Sequence, residues 1–134
     1  MAHLEAGCDE VLYSQKISWK LNGVKGDNEI DVIACRGDIL SFTTCKSMIP
    51  EYSSGNADII WDSIMEADYW DHHFADGKGK VLMVCTADFY NEYRYQQHRY
   101  PRLAAKATIL EVNMVGLEEL KWDCFVRKIL EHWD

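Results

Sequence analysis

Two acidic residues and one lysine have types and spacing that could support chemistry. The segment Glu29-Ile30-Asp31 opens one β-branched run, and Lys46 ends the next. Because side chains alternate along a strand, a hairpin of these runs could bring Asp31 beside Lys46. A carboxylate there would help to hold a hard divalent cation such as Mg²⁺, which prefers oxygen ligands. The lysine would then orient or deprotonate an attacking water and balance the charge of a phosphate.

Each of these residues also has a simpler explanation. Asp31 and Lys46 could form an exposed cross-strand ion pair, which usually contributes about 0.2–1 kcal/mol. Glu29 could be a surface residue at a strand start, and Glu5 could favour the dipole of a first helix. Thr44 is a residue that an ordinary strand prefers. Only the ordered combination of these residues favours a site.

A second candidate is a basic segment without an acid among its charged residues. It contains Arg94, Arg99, Arg102 and Lys106, interleaved with four tyrosines and His98. Such a segment could bind the phosphates of a nucleic acid, or it could be a solvated helix face with tyrosines packed on the core. The formal net charge of −8 should repel a polyanion at long range, so binding would depend on the local field.

Length and composition predict one globular domain over residues 1–134, with 48% apolar and 27% charged residues. No apolar run approaches the roughly 20 residues of a membrane span, and the chain start does not resemble a signal peptide. A cytoplasmic protein without a membrane partner is therefore expected. The five cysteines contain no CxxC pair and are odd in number, which favours reduced thiols and argues against a zinc site.

Apolar periodicity and turn residues predict alternating helices and strands. Helices are predicted for residues 4–15, 59–71, 89–105 with Pro101 disturbing the third, and 116–133; strands are predicted for residues 17–21, 29–34, 39–45, 81–85 and 107–112. Arg36-Gly37-Asp38 suits a hairpin, whereas βαβ connections in the second half favour parallel pairing. The predicted fold class is therefore α/β, with a mixed central sheet flanked by helices.

These residues resemble the motif of the PD-(D/E)xK nuclease superfamily, whose restriction-endonuclease-like core has the same αβββαβ order. Within it, the chain is similar to the nuclease domains of CRISPR-associated effectors that carry a Rossmann-fold cyclic-oligoadenylate sensor. Those domains have a WLE-like start, an NE(I/L)D strand and an ECK strand. The matching residues here are His3-Leu4-Glu5, Asn28-Glu29-Ile30-Asp31 and Thr44-Cys45-Lys46.

The resemblance implies a role for each matching residue. Asp31 would be the principal metal ligand, Lys46 would orient the water, and Glu5 would be an auxiliary acid and ligand, with Glu29 assisting. Cys45, the middle residue of the last match, is included among the metal-binding positions. Thr44 departs from the pattern, since it occupies the place of the second metal-binding carboxylate and a neutral hydroxyl is a poorer ligand for Mg²⁺.

Two hypotheses follow. In the first, the chain is an endonuclease domain that uses Mg²⁺ or Mn²⁺ to cleave phosphodiester bonds in DNA or RNA, with a site weakened at Thr44. The resemblance then also implies antiviral defence, a homodimer and a sensor domain outside this chain. In the second, the chain is an inactive nuclease-like module for binding or assembly, because a fold can be kept while its activity is lost.

Overall fold

The structure is a computed structural model that describes residues 1–50, 55–91 and 94–134. Within these ranges, it does not describe the side chains of residues 17, 19, 21, 27, 28, 91 and 94–96.

A five-stranded mixed sheet forms the centre of the described chain. Its strands are β1 (Glu10–Leu21), β2 (Val24–Arg36), β3 (Ile39–Lys46), β4 (Lys80–Cys85) and β7 (Val112–Val115), in the order β1-β2-β3-β4-β7. The pairs β1–β2 and β2–β3 are antiparallel, whereas β3–β4 and β4–β7 are parallel. The predicted mixed α/β architecture is confirmed. A separate pair of short strands, β5 (Tyr90–Asn91) and β6 (Arg94–His98), follows β4.

Helices cover both faces of this sheet. They are α1 (Ala2–Glu5), α2 (Asn56–Phe74), α3 (Pro101–Ile109) and α4 (Trp122–Trp133), with a 3₁₀ turn at Leu117–Glu119. Residues of α2 and α3 pack in one apolar core, while residues of α1 and α4 pack in a second core on the other face. In the described ranges, no helix combines the length and apolarity that spanning a membrane would need.

Strand β4 separates the two cores. Val81 and Met83 pack in the α2-side core, whereas Leu82 packs in the α4-side core, and all three are buried. A strand covered on both faces must be apolar at successive positions, which explains its continuous apolar run. The prediction of a covered strand at residues 81–85 is confirmed.

The predicted first helix over residues 4–15 is wrong. Helix α1 ends at Glu5, Gly7 adopts a φ of +89°, and β1 begins at Glu10. Leu4 and Leu12 belong to the expected apolar stripe, yet both are exposed. The helical spacing joined residues of two different elements.

The predictions for residues 89–112 are also partly wrong. The segment expected to form one long helix contains β5 and β6 before α3, and Pro101 lies in the first turn of α3. A proline fits there because the amide it lacks would have no intrahelical partner. Helix α3 continues to Ile109, Glu111 has a φ of +57°, and the following strand starts at Val112 rather than at residue 107.

The β1–β2 hairpin is longer than the rest of the sheet. Strand β1 pairs with β2 from Glu10↔Cys35 to Leu21↔Val24, but β2 pairs with β3 only from Val32 to Arg36. Residues 15–21 and 24–30 therefore form a two-stranded extension beyond the last β2–β3 pair, and we call this extension the arm. Asn22 and Gly23 turn the chain at its tip, both with positive φ.

Two buried histidines, His3 of α1 and His132 of α4, make polar contacts with the sheet. The indole N–H of Trp133 donates to Nδ1 of His3 at 3.1 Å, and His3 Nε2 lies 3.3 Å from Thr43 Oγ1. Ser41 Oγ lies 2.7 Å from His132 Nε2. An indole is only a donor, so His3 Nδ1 accepts and its imidazole is neutral. Burial is the main cause that lowers the pKa of His3 to about 4 and that of His132 to about 3.

These histidines predict a loss of stability in mild acid. In the unfolded chain they take up protons near pH 6.5, whereas in the folded chain they stay neutral until about pH 4 and 3. The free energy of unfolding should therefore be fully present above pH 6.5 and fall by about 1–3 kcal/mol per pH unit between pH 6 and 4.5. Urea unfolding followed by tryptophan fluorescence measures it.

A matched pair of variants isolates the contribution of the buried ring. His132→Gln should lower stability at pH 7 but roughly halve the pH slope, because one proton-binding group is removed from the unfolded chain. The control His73→Gln changes an exposed ring and should keep the slope of the parent. Equal slopes for all three proteins would contradict the assignment.

Candidate active site

The site begins where β3 loses one of its two neighbours. Strand β2 pairs with β3 through Val32↔Thr43, whereas β4 continues alongside β3 to Lys46↔Cys85. On the open side, the backbone N–H of Cys45 donates to Oδ2 of Asp31 at 2.7 Å. The Asp31 carboxylate thus accepts a hydrogen bond from a backbone N–H of β3 that lies beyond the last β2–β3 pair.

Asp31 lies at an irregularity of the hairpin. Tyr13 is opposite Val32 and Gln15 is opposite Ile30, but Ser14 between them has a φ of +51°. Further along β2, Ile30 and Ile33 both pack in the α2-side core, although strict alternation would put residues three apart on opposite faces. The alternation therefore shifts between them, next to Asp31. This shift explains why the predicted side-chain alternation does not extend unchanged through the site.

Asp31 and Lys46 act electrostatically on the same thiol. The pKa of Cys45 is raised to about 11, first by withdrawal of the thiol from water and then by the Asp31 carboxylate, while the Lys46 ammonium opposes the rise. The residue as a whole is nevertheless exposed. The ion pairs among the described residues do not include one between Asp31 and Lys46. Both groups are therefore near Cys45 without forming an ion pair with each other.

The remaining predicted site residues differ in exposure and in contacts. Thr44 is 3% exposed in β3, whereas Glu5 and Glu29 are exposed, and the ion pairs and hydrogen bonds of the described residues join neither of them to Asp31. The described ranges contain no group of three or more His, Cys, Asp or Glu side chains that could hold a metal ion. Mg²⁺, however, is commonly held by one or two carboxylates, waters and substrate phosphates. The donor set around Asp31 fits only such a weak site.

The predicted basic segment is divided between two elements. Arg99 Nε donates to the carbonyl oxygen of Tyr90 at 2.9 Å, beside the β5–β6 pair. Arg102 and Lys106 lie on α3, where Lys106 Nζ is 3.6 Å from the ring centre of Trp61. The side chain of Arg94, the fourth predicted residue, is outside the described part.

Arg102 and Lys106 border a groove of about 420 Å³ between α2 and α3. Its lining is mostly apolar and includes Trp61, Met65 and Ile109. Met65 is 47% and Ile109 80% exposed, so the groove offers apolar surface beside two cations.

Sequence reasoning missed a carboxyl pair at the carboxyl ends of β4 and β7. Both carboxylate oxygens of Glu118 accept from the backbone N–H of Phe89, at 3.1 and 3.2 Å. Burial raises the pKa of Glu118, and a hydrogen bond with the Asp88 side chain adds to the rise. The neighbouring Glu119 is paired with Lys128 at 3.1 Å. The sequence signal was available, because Asp88 and Glu118 each follow an apolar strand.

Comparison with solved structures shows the fold. The protein VC1899 from Vibrio cholerae matches with a TM-score of 0.68 and 14% identity, over 94% of this chain and 28% of that one. Can2 from Sulfobacillus thermosulfidooxidans, solved in complex with cyclic tetra-adenylate, matches with a TM-score of 0.59 and 14% identity, over 95% of this chain and 32% of that one. The chain thus spans about a third of the length of these proteins.

Sequence comparison adds no family to this likeness. No protein-family model matches the chain, and no curated protein matches it in sequence.

The charges around Cys45 predict the reactivity of its thiol. Asp31→Asn should lower the pKa of Cys45 and speed its alkylation at pH 8 severalfold, because the negative charge is removed while an amide oxygen can still accept the N–H of Cys45. Lys46→Gln should slow the reaction, since the ammonium favours the thiolate. Iodoacetamide labelling followed by peptide mass spectrometry resolves Cys45 from the other cysteines. An unchanged rate in both variants would place the two charges elsewhere.

Proposed function

We propose that this chain is the nuclease-fold domain of a CRISPR-associated effector and that it hydrolyses phosphodiester bonds with a divalent metal ion. The observation that carries the proposal is the proximity of both Asp31 and Lys46 to Cys45, where β3 extends past β2. The order of the motif along the chain and the fold shared with Can2 support it.

The proposed roles follow from the chemistry of the two side chains. Asp31 offers its second carboxylate oxygen, since Oδ2 accepts the N–H of Cys45. Mg²⁺ or Mn²⁺ bound to Oδ1 of Asp31 would polarise the scissile phosphate. Lys46 would balance phosphate charge and orient the attacking water as a donor. Glu5 and Glu29 are the auxiliary acids of this proposal. The backbone carbonyl oxygen of Cys45 is the remaining proposed metal contact.

The threonine at position 44, where the resemblance expects an acid, determines how tightly the proposed site would bind a metal ion. A second carboxylate on β3 would add a charged oxygen, whereas Thr44 offers a neutral hydroxyl and is almost fully buried. We therefore expect weak metal binding by the free protein and tighter binding when substrate phosphates complete the coordination.

The proposed partners follow from the same resemblance. A nucleic acid would approach over Arg94, Arg99, Arg102 and Lys106, and the active form would be a homodimer. Can2 was solved with cyclic tetra-adenylate, and the likeness covers 32% of its chain. By analogy, we propose that a separate sensor domain controls this one.

The first test is cleavage by the parent protein. Labelled single-stranded and duplex DNA and RNA, incubated with 5–10 mM Mn²⁺ as an experimental choice, should be cut slowly, and chelation with EDTA should stop the reaction. Asp31→Asn and Lys46→Gln should each reduce the rate by at least about tenfold, because they remove the ligand and the water-orienting group. Gel electrophoresis of the products measures the rate. Persistent cleavage in both variants would assign the activity to another site or a contaminant.

A gain-of-function variant tests the role of the missing acid. Thr44→Glu should raise both Mn²⁺ affinity, measured by calorimetry, and the cleavage rate. Ser47→Glu is the matched control, since it adds the same charge at an exposed position one residue past Lys46. Thermal melting verifies that Thr44→Glu folds. A folded Thr44→Glu variant that gains neither property would contradict the proposed site.

A second candidate is an inactive nuclease-like module that binds a protein partner. It is favoured by the absence of a metal-capable group of three side chains in the described ranges and by the exposed apolar groove between α2 and α3. This candidate predicts no cleavage with any substrate or metal. It also predicts that Ile109→Asp abolishes partner binding without changing the fold.

A further inference from the structure

We infer that the arm of the β1–β2 hairpin is a contact surface for the phosphate backbone of a nucleic acid. This inference deepens the proposed function, on which it rests, by adding a binding surface outside the α3 segment. The arm begins beside Asp31 and leaves the sheet at the end of β3 where Lys46 lies. A nucleic acid strand bound at that site would therefore lie next to the arm.

The charge of the arm differs in sign from that of the chain. The arm contains Lys16, Lys20 and Lys25 against Asp27 and Glu29, which gives it a formal charge of +1, whereas the chain has 22 acids and a formal net charge of −8. Glu29 is opposite Lys16 and Asp27 is opposite Ser18, so the excess positive charge lies toward the tip, at Lys20 and Lys25. All three lysines are exposed, and the ion pairs formed among the described residues do not include them. An exposed group of cations on an acidic protein gives a local field that attracts a polyanion.

The register places two of these cations directly opposite each other. Lys20 pairs with Lys25 across the hairpin, one step before the Leu21↔Val24 pair at the tip. Like charges at directly opposite positions destabilise an antiparallel pair. A phosphate between them would remove this repulsion, so the register suits an anion bound at the tip.

The dimensions of the arm suit an extended substrate. Lys25 is six residues from Asp31 along β2, which corresponds to about 20 Å of strand. A nucleic acid strand carries a phosphate about every 3.4 Å in a duplex, so several phosphates lie between the catalytic end and the tip. The arm would contact the substrate several phosphates away from the bond that is cleaved. Contacts to phosphates alone would not select a base sequence.

Binding without cleavage is the direct test. A fluorescein-labelled 20-nucleotide DNA strand, an RNA strand and a DNA duplex are titrated in EDTA, with anisotropy as the readout, at 50–200 mM salt as an experimental choice. Replacing Lys16, Lys20 and Lys25 together with Gln should weaken binding at least about tenfold at low salt. For the single strands it should also reduce the slope of log affinity against log salt by about 1.4, since two phosphate contacts, one of them shared by Lys20 and Lys25, are lost at roughly 0.7 each.

The control variant carries the same change of charge elsewhere. Lys78→Gln, Lys121→Gln and Arg127→Gln together remove three exposed cations outside the arm. This variant should weaken binding less than threefold. Equal losses in the two triple variants, or no loss in the arm variant, would overturn the inference.

A single substitution separates charge from damage to the hairpin. Lys20→Glu creates an opposite-charge pair with Lys25, so it should raise the melting temperature slightly while weakening nucleic acid binding. Loss of both stability and binding would assign the effect to structure and contradict the inference.

The inference and the proposed function can fail independently. A parent protein that binds through the arm but never cleaves would refute the nuclease and keep the binding surface. A parent that cleaves, with an arm variant of unchanged affinity, would do the reverse. A parent that binds none of the three probes in EDTA would overturn the inference, and the cleavage assay would still judge the nuclease.

Discussion

The unequal pairing of β3 is the constraint on which the candidate site depends. On one edge, β3 pairs antiparallel with β2 only as far as Thr43, and on the other it pairs parallel with β4 as far as Lys46. The backbone beyond Thr43 therefore needs a partner that is not a strand, and Asp31 supplies one by accepting the N–H of Cys45 at 2.7 Å. One hydrogen bond thus completes the strand end and fixes a carboxylate beside Cys45, the residue before Lys46.

The two faces of the sheet differ in the polar groups that they bury and in the grooves that they expose. The α4 side buries His3, His132 and Trp133 in one network, and burial lowers the pKa of both imidazoles, so protonation of either ring destabilises this layer. The α2 side leaves the exposed groove beside Arg102 and Lys106. The proposed partner surfaces are the groove on the α2 side and the arm, both of which are open to solvent.

Much of the architecture could be predicted from sequence because strong local signals agreed with tertiary burial. The apolar run at residues 81–85 is a strand covered on both faces, and Gly37 lies at the predicted hairpin turn with a φ of +63°. The prediction of the first helix was wrong because the helical spacing of apolar residues continues past Gly7, from a short helix into a strand. The prediction of a helix in the tyrosine-rich stretch before Pro101 was wrong because β propensity outweighed the helical pattern of that segment.

The site was less predictable than the sheet. The motif indicated that Asp31 and Lys46 approach the same strand end, and the structure places both beside Cys45. Simple alternation could not show how, since the side-chain pattern shifts between Ile30 and Ile33 and only three-dimensional packing reveals that shift. The pairing of Asp88 with Glu118 depends on two parallel strands that are distant in sequence, so it too required the fold.

Paramagnetic relaxation by Mn²⁺ tests the central claim most directly. Substoichiometric Mn²⁺ is added to ¹⁵N-labelled protein together with a phosphorothioate oligonucleotide that resists cleavage, and the broadening of each backbone amide signal is recorded. The account predicts that the signals of Asp31, Cys45 and Lys46 broaden first and that Asp31→Asn removes this selectivity. Broadening centred on Asp88 and Glu118, or spread evenly over the acidic surface, would contradict a metal site at the end of β3.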